Sequence, residues 1–254
     1  MAAPTKITID APAITPATGG FIGGGGKGIS VTEASGYPLF YGVNYVPHLQ
    51  GQNRPVPAPG TPKVFEEIEG LNESVPFKTY RGVDVSLLRF HGDSASLVEE
   101  AFKGAESYGV EAKVQELVLD PDAVDIRPGI TITNPRLALG VLEQFIRDNY
   151  SGQGVITGNA LALSLVEDAL EGTGTSMATK LGTPVVLAGG YDNGASTNDD
   201  AALLYISGQI NIWRGQVTVD PAPDLAGNRE LALAEAQYAA SVDGPVAFVL
   251  VGPN

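Results

Sequence analysis

The stretch Asp93-Ser-Ala-Ser-Leu-Val-Glu-Glu-Ala-Phe-Lys-Gly-Ala-Glu-Ser-Tyr-Gly-Val-Glu-Ala-Lys-Val-Gln-Glu-Leu-Val118 decides how this chain is read. Asp93 or Ser94 is a helix cap. Leu97, Val98, Ala101, Phe102, Ala105, Tyr108, Ala112, Gln115 and Glu116 follow helical spacing, with charge on the other face. The spacing predicts one long helix to about residue 118, weakened only at Gly104 and Gly109. At 1.5 Å per residue it is roughly 35 Å long.

Upstream, residues 64–89 read as strand, turn, strand. Val75, Phe77, Thr79, Tyr80, Val83 and Val85 are β-prone, and Asn72-Glu73-Ser74 is turn-prone. Residues 1–63 read as extended arm and loop. Lys6 to Asp10 alternates like a short edge strand, and Gly19, Gly20, Gly23 to Gly26 and Gly28 form a hinge. Pro38, Pro47, Pro55, Pro57, Pro59 and Pro62 then exclude regular helix. A compact domain rarely spends this much chain on irregular structure, whereas an arm that lies on neighbouring subunits does.

Downstream, a second helix starts after Asn134-Pro135, with Leu137, Val141, Leu142, Phe145 and Ile146 as its buried stripe and Gly152 and Gly154 as its stop. Residues 154–157 read as a buried strand, and Asn159 caps a third helix through Leu170. Residues 183–188 are an apolar strand, 192–200 a polar loop, and 203–219 one or two alternating strands. Residues 228–250 are apolar, alternating and long. The order of elements makes an α+β fold, with neither internal repeats nor a second independent domain.

Composition narrows the function. With 254 residues and 43% apolar content the chain builds a real core. No apolar run reaches the ~20 residues of a membrane helix. The start of the sequence does not read as a secretory signal. The absence of cysteine excludes disulfides, thiolate metal sites and cysteine nucleophiles, and fits a reducing cytosol. Fifteen basic against 29 acidic residues give a net charge of −14 with no basic cluster, which argues against direct DNA binding. An acidic wall is still compatible with enclosed DNA, which it would let slide.

Three segments carry a trace of chemistry. Phe21-Ile-Gly-Gly-Gly-Gly-Lys27-Gly28 resembles a phosphate loop, but Phe21 stands where the first glycine belongs and Gly28 where a magnesium-binding hydroxyl belongs. Gly174-Thr175-Ser176-Met177-Ala178 matches the nucleophile segment of subtilisin-like proteases, and His91-Gly92 half of their histidine segment, with Asp84 or an earlier acid as nominal acid. Thr179 and Lys180 follow where that family has proline, and the chain is short for its parallel-sheet fold. Asp192, Asp199 and Asp200 beside Tyr191 and Asn193 lack the spacing of a calcium loop. His48 and His91, the only histidines, bring no metal-ligand spacing. Trp213 reads as a core or interface anchor. The sequence therefore predicts no catalytic residue, no cofactor and no metal.

The element order, arm then hairpin then long helix then helix-rich lobe then terminal strands, resembles the tailed-phage major capsid fold named after phage HK ninety-seven, shared with encapsulins. Locally the chain is similar to capsid proteins of actinobacterial phages at Val75-Pro-Phe-Lys-Thr-Tyr80, Ala101-Phe-Lys-Gly-Ala-Glu-Ser-Tyr-Gly-Val-Glu111 and Leu139-Gly-Val-Leu-Glu-Gln144. The similarity continues at Gly154-Val-Ile-Thr-Gly158, Leu181-Gly-Thr-Pro-Val-Val-Leu-Ala-Gly-Gly-Tyr191, Asn228-Arg229 and Asp243-Gly244. The resemblance implies an N-terminal arm over 1–63, an extended loop over 64–90, a peripheral domain with the spine helix over 91–133 and 223–254, and an apical domain over 134–222.

It further implies a subunit that self-assembles through pentamers and hexamers into an icosahedral virion shell in the host cytoplasm. The shell would enclose DNA without specific binding, with portal, scaffolding or decoration proteins as partners. An encapsulin-like compartment shell shares the fold, and a serine hydrolase is the reading from another class. Some relatives cross-link a loop lysine to a neighbour's asparagine. Lys63 and Lys78 lie near the loop, but no spacing here identifies such a triad.

Overall fold

The computed structural model of the chain describes residues 7–8, 22, 28–36, 38–46, 71–86, 93–127, 134–173, 176–191, 201–224 and 226–252. In chain order the strands and helices are β1 (Ile7–Thr8), β2 (Ile29–Glu33), β3 (Val43–Tyr45), β4 (Asn72–Glu73), β5 (Val75–Ser86), α1 (Ser94–Val114) and β6 (Ala123–Asp125). There follow α2 (Pro135–Asn149), β7 (Val155–Asn159), α3 (Leu161–Val166), β8 (Leu170–Glu171), β9 (Ala178–Thr179) and β10 (Val185–Ala188). The last are β11 (Ala202–Ser207), β12 (Ile210–Arg214), β13 (Thr218–Asp224), β14 (Arg229–Val242) and β15 (Val246–Val251).

One layer is a sheet built on β14, the longest strand. Antiparallel β5 runs along one edge, from Ala240↔Val75 to Arg229↔Ser86. β13 and β12 share the other edge, and β2 adds in parallel to β12. Helix α1 lies on this sheet. Its cap is Asp93, whose side chain accepts the Ala95 N–H at 3.0 Å. A π turn over Gln115–Leu119 and a 3-10 turn at Asp120–Asp122 carry it on before β6 begins. The inward positions of β14 are Ala232, Ala234, Ala236, Tyr238 and Ala240, packed in one core with Val98, Phe102, Val110 and Val114 of α1. Four alanines in alternation let the helix sit close to the backbone of the strand.

The second layer is the mixed sheet β10-β7-β11-β15-β6. One face packs against α2 and α3 through Leu142, Ile146, Ile156, Leu204, Ile206, Ala247 and Val249. From the other face Val155, Val186, Tyr205 and Val246 join the core that contains Val118 and Leu119 at the end of α1. Both faces are covered, which is why β7 and β11 are buried nearly throughout and do not alternate.

Several expectations change. Asn72-Glu73-Ser74 is extended. The Ser74 N–H donates to the Val43 carbonyl at 2.9 Å and the Val43 N–H to Ser74 Oγ at 2.6 Å, so tertiary pairing outweighs the local turn preference. Gly42 (φ 76°) makes that approach, since a Cβ there would lie 2.5 Å from the Ser74 carbonyl oxygen.

Within 1–63, residues 29–36 and 38–45 are not loose arm. β2 is laid on β12, and Leu39, Val43 and Tyr45 are buried against Trp213 and Ala239. Within 64–90, residues 75–86 form a sheet strand paired with β14 and not an arm of a free hairpin; residues 64–70 and 87–90 lie outside the described residues. Within 223–254, β14 stays in the first sheet while β15 crosses into the second and pairs with β11 and β6.

The buried stripe of α1 is also rotated from the one read in the sequence. Glu106 and Glu111 lie in it, while Tyr108 is 61% exposed and Leu97 is exposed. In α2, Leu137 is exposed and Ala138, Leu139 and Glu143 are buried. The third helix proper ends at Val166, before Leu170, although Asn159 Oδ1 does accept the Ala162 N–H at 3.2 Å.

Candidate functional site

Three buried polar junctions hold α1 against the two sheets. The first lies at mid-helix. Glu106 receives Arg214 Nε at 2.5 Å and Nη2 at 2.9 Å, and the Tyr238 hydroxyl donates to it at 2.6 Å. Arg214 Nη1 also reaches Glu33 at 3.2 Å. One guanidinium thus joins α1, β12 and β2 in a fork that suits its planar donors. The bond to Glu106 holds the Arg214 guanidinium more firmly protonated than usual. Burial, then the bond to Glu106, pushes the Tyr238 hydroxyl well up.

The second junction is one turn on. Buried Glu111 accepts the Ser107 hydroxyl at 2.6 Å and the Gly190 N–H at 3.1 Å, linking α1 to the chain that follows β10. Burial raises its carboxyl above the ordinary range, and the two hydrogen bonds oppose this only in part. A raised folded-state value means that ionised Glu111 costs stability above that value, and that the cost vanishes as pH falls through it. Each tenfold difference in proton affinity between folded and unfolded chain corresponds to about 1.4 kcal/mol. The Glu111→Gln variant is therefore expected to gain on wild type as pH rises from about 4.3, the unfolded value, through the folded one. Urea midpoints across that range measure it. A stability difference that is flat with pH would show that Glu111 does not titrate at a displaced value.

The third junction is a chain of hydrogen bonds: Gln115 Nε2 donates to the Tyr205 hydroxyl at 3.1 Å, and Tyr205 to Asp120 Oδ1 at 2.5 Å. It borders a cavity of about 500 Å³ walled by Ala112, Ala123, Leu203 and Phe248 as well.

The outward side of the β5–β14 ribbon is different in kind. Tyr80 is 75% exposed and Leu231 45%. Phe40, 55% exposed, sits with its ring centroid 4.5 Å from Lys78 Nζ. Lys78 pairs with Glu235 at 3.0 Å and Arg229 with Asp84 at 2.6 Å on the same face. Cross-strand ion pairs of this exposed kind set register and are worth little in stability.

The motifs singled out in the sequence do not converge. Ser176 Oγ donates to the Thr173 carbonyl at 2.9 Å, and Asp84 lies on β5, in a different sheet, paired to Arg229. His48, His91, Lys27, Lys63 and the acids Asp192, Asp199 and Asp200 lie outside the described residues. Trp213 is fully buried, its ring 5.6 Å from that of Tyr45. Among the described residues no group of three or more His, Cys, Asp or Glu is placed to hold a metal ion. No described helix is long and apolar enough to cross a membrane. Sequence reading missed Glu106, Glu111 and Arg214. Helical spacing from Val98 and Phe102 passes through Glu106, and that is the one signal that marks it as buried.

No protein-family model matches the chain, and no curated protein sequence matches it. Solved structures do. The chain of Microbacterium phage Oxtober96 superimposes with a TM-score of 0.55 at 12% identity, over 100% of this chain and 96% of that one. The capsid of Ralstonia phage GP4 gives 0.55 at 10% identity, over 100% and 97%. This is the tailed-phage capsid fold. The capsid of the native GTA particle agrees, with 0.53 at 12% identity over 88% of each chain. At such identities the likeness is one of HK ninety-seven-like fold.

Proposed function

We propose that the chain is the major capsid protein of a tailed bacteriophage, assembling through pentamers and hexamers into an icosahedral head that encloses the genome. The observation that carries this reading is the capsid fold combined with large apolar side chains left uncovered on the outside of the long ribbon. Phe40, Tyr80 and Leu231 share a face that a solitary subunit leaves wet. Charge supports it. Residues 1–28 carry two basic side chains and one acidic, residues 29–254 carry 13 basic and 28 acidic, so a weakly basic arm from one copy suits the acidic body of the next. The acidic body also suits DNA held without specific contacts. No catalytic residue is assigned.

On this reading α1 is the spine helix, and the peripheral domain is α1 with β5, β13 and β14. The apical domain is the second sheet with α2 and α3. The extended loop is taken at 64–90, of which β4 and β5 are described. The site of action is the virion, with assembly in the host cytoplasm and portal, scaffolding or decoration proteins as partners.

The test is electron microscopy of the purified chain beside a variant lacking residues 1–27. Gly28 is kept because its carbonyl accepts the Ile210 N–H. The full chain is expected to form closed shells. The truncated chain should unfold cooperatively, near the full chain's midpoint, yet fail to close. A compact monomer at every concentration would overturn the proposal. Shells that co-purify with a protein cargo in place of DNA would favour a compartment shell.

A further inference from the structure

We infer that residues 38–45 form a strap that opens as a unit separate from the sheet beneath, with Trp213 as the side chain it uncovers. This rests on packing and polarity, not on the shell reading. The strap enters after a turn at Gly36 (φ 89°), makes a short 3-10 turn over Leu39–Tyr41 and ends as β3. Its backbone partners are local or short. The Gly42 N–H returns to the Leu39 carbonyl, and β3 pairs with two-residue β1 and two-residue β4. Its hold on β12 and β14 comes from side chains: Leu39, Val43 and Tyr45 against Trp213 and Ala239.

The strap covers Trp213, and the strip of the same face that continues from Trp213 is polar and buried. Gln209, Asn211 and Trp213 alternate along one face of the chain entering and forming β12, all at most 1% exposed. Gln209 Nε2 donates to Asn211 Oδ1 at 2.8 Å. Gln209 Oε1, Asn211 Nδ2 and Trp213 Nε1 have no hydrogen-bond partner among the described residues. The Tyr45 hydroxyl, pushed up by burial, lies towards Ser241 and Asn72 with Asp243 nearby, so the strap's last residue rests on the same polar strip. Burying three apolar side chains favours closure. Leaving polar atoms unpaired opposes it by a comparable amount. Segments so balanced open locally at a free energy far below that of the sheet.

Trp213 is the sole tryptophan, which makes the test direct. Hydrogen exchange of the full, unassembled chain should show the Val43 and Ser74 amides exchanging on the order of a hundredfold faster than the β5–β14 ladder. Acrylamide quenching of Trp213 should rise several-fold in the Leu39→Ala variant, while β14 exchange stays as in wild type, as local opening requires. The Gln209→Leu, Asn211→Val variant should slow strap exchange. A single exchange rate for strap and β14, or Leu39→Ala accelerating β14 equally, would overturn the inference.

Discussion

Arg214→Ala is expected to cost the folded chain about 3–5 kcal/mol, the loss seen when one partner of a buried ion pair is removed. The reason is what it leaves behind. The Glu106 side chain is 4% exposed and holds two bonds from Arg214 and one from Tyr238. Without the guanidinium, a buried carboxylate keeps one neutral donor, and desolvation is no longer offset. Glu106→Gln should cost less. Arg214 then retains Glu33 and its own partial exposure, and the amide oxygen introduced by the substitution can still accept from it. Glu33→Gln, at an exposed position, should cost under about 1 kcal/mol. Urea denaturation of the unassembled chain ranks the three. If Arg214→Ala falls within about 1 kcal/mol of wild type, the range of an exposed pair, the pair is not a buried ionic junction and does not hold α1 to the sheet.

That junction also marks where sequence reading stops. The helices are legible because their signals are local. Asp93 and Asn134-Pro135 cap α1 and α2 within two residues of where they act, each accepting a backbone N–H two residues on. Buried strands β7 and β10 are legible as short runs, whereas β11, read as part of an alternating segment, is buried nearly throughout. What escapes is non-local. Glu106 and Arg214 are 108 positions apart, and nothing in either neighbourhood announces the other. A glutamate on a helix is assigned to water by default, so the sequence draws the buried stripe of α1 through Tyr108, which is exposed. The 12-residue pairing of β5 with β14 is equally hidden, because β5 carries side chains that suit either a free hairpin or a sheet. Its partner tips the balance: the alternating alanines at 232, 234, 236 and 240 fit a strand pressed under a helix, and such a strand needs neighbours on both edges. The candidate surface, Phe40 with Tyr80 and Leu231, joins three distant parts of the chain and becomes visible only once that pairing exists.

Gly190→Ala is expected to be nearly as damaging as Arg214→Ala, while Gly189→Ala one residue earlier does almost nothing. The two glycines are indistinguishable in the sequence Ala-Gly-Gly-Tyr. In the fold, a Cβ on Gly189 would meet Tyr108 Cδ2 at 3.6 Å, an ordinary contact. A Cβ on Gly190 would lie 2.3 Å from the Tyr108 backbone oxygen and 2.7 Å from Glu111 Cβ, both fixed parts of α1. Neither can rotate away, so the 189–191 chain must lift off the helix. Overpacking alone costs about 1–3 kcal/mol. Lifting also takes the Gly190 N–H from Glu111, and a hydrogen bond to a charged group is worth about 1.5–3 kcal/mol. Together these put Gly190→Ala at roughly 3–5 kcal/mol at neutral pH, against under about 0.5 kcal/mol for Gly189→Ala. Part of the loss should disappear in acid, because a protonated Glu111 no longer needs the N–H as a charge-stabilising donor. Denaturation midpoints of both variants at neutral pH and at about pH 4, near the unfolded carboxyl's own value, settle it. Equal losses at the two glycines would mean that the chain after β10 does not rest on α1 as described. A Gly190→Ala loss independent of pH would assign the whole effect to the clash and none to the carboxylate.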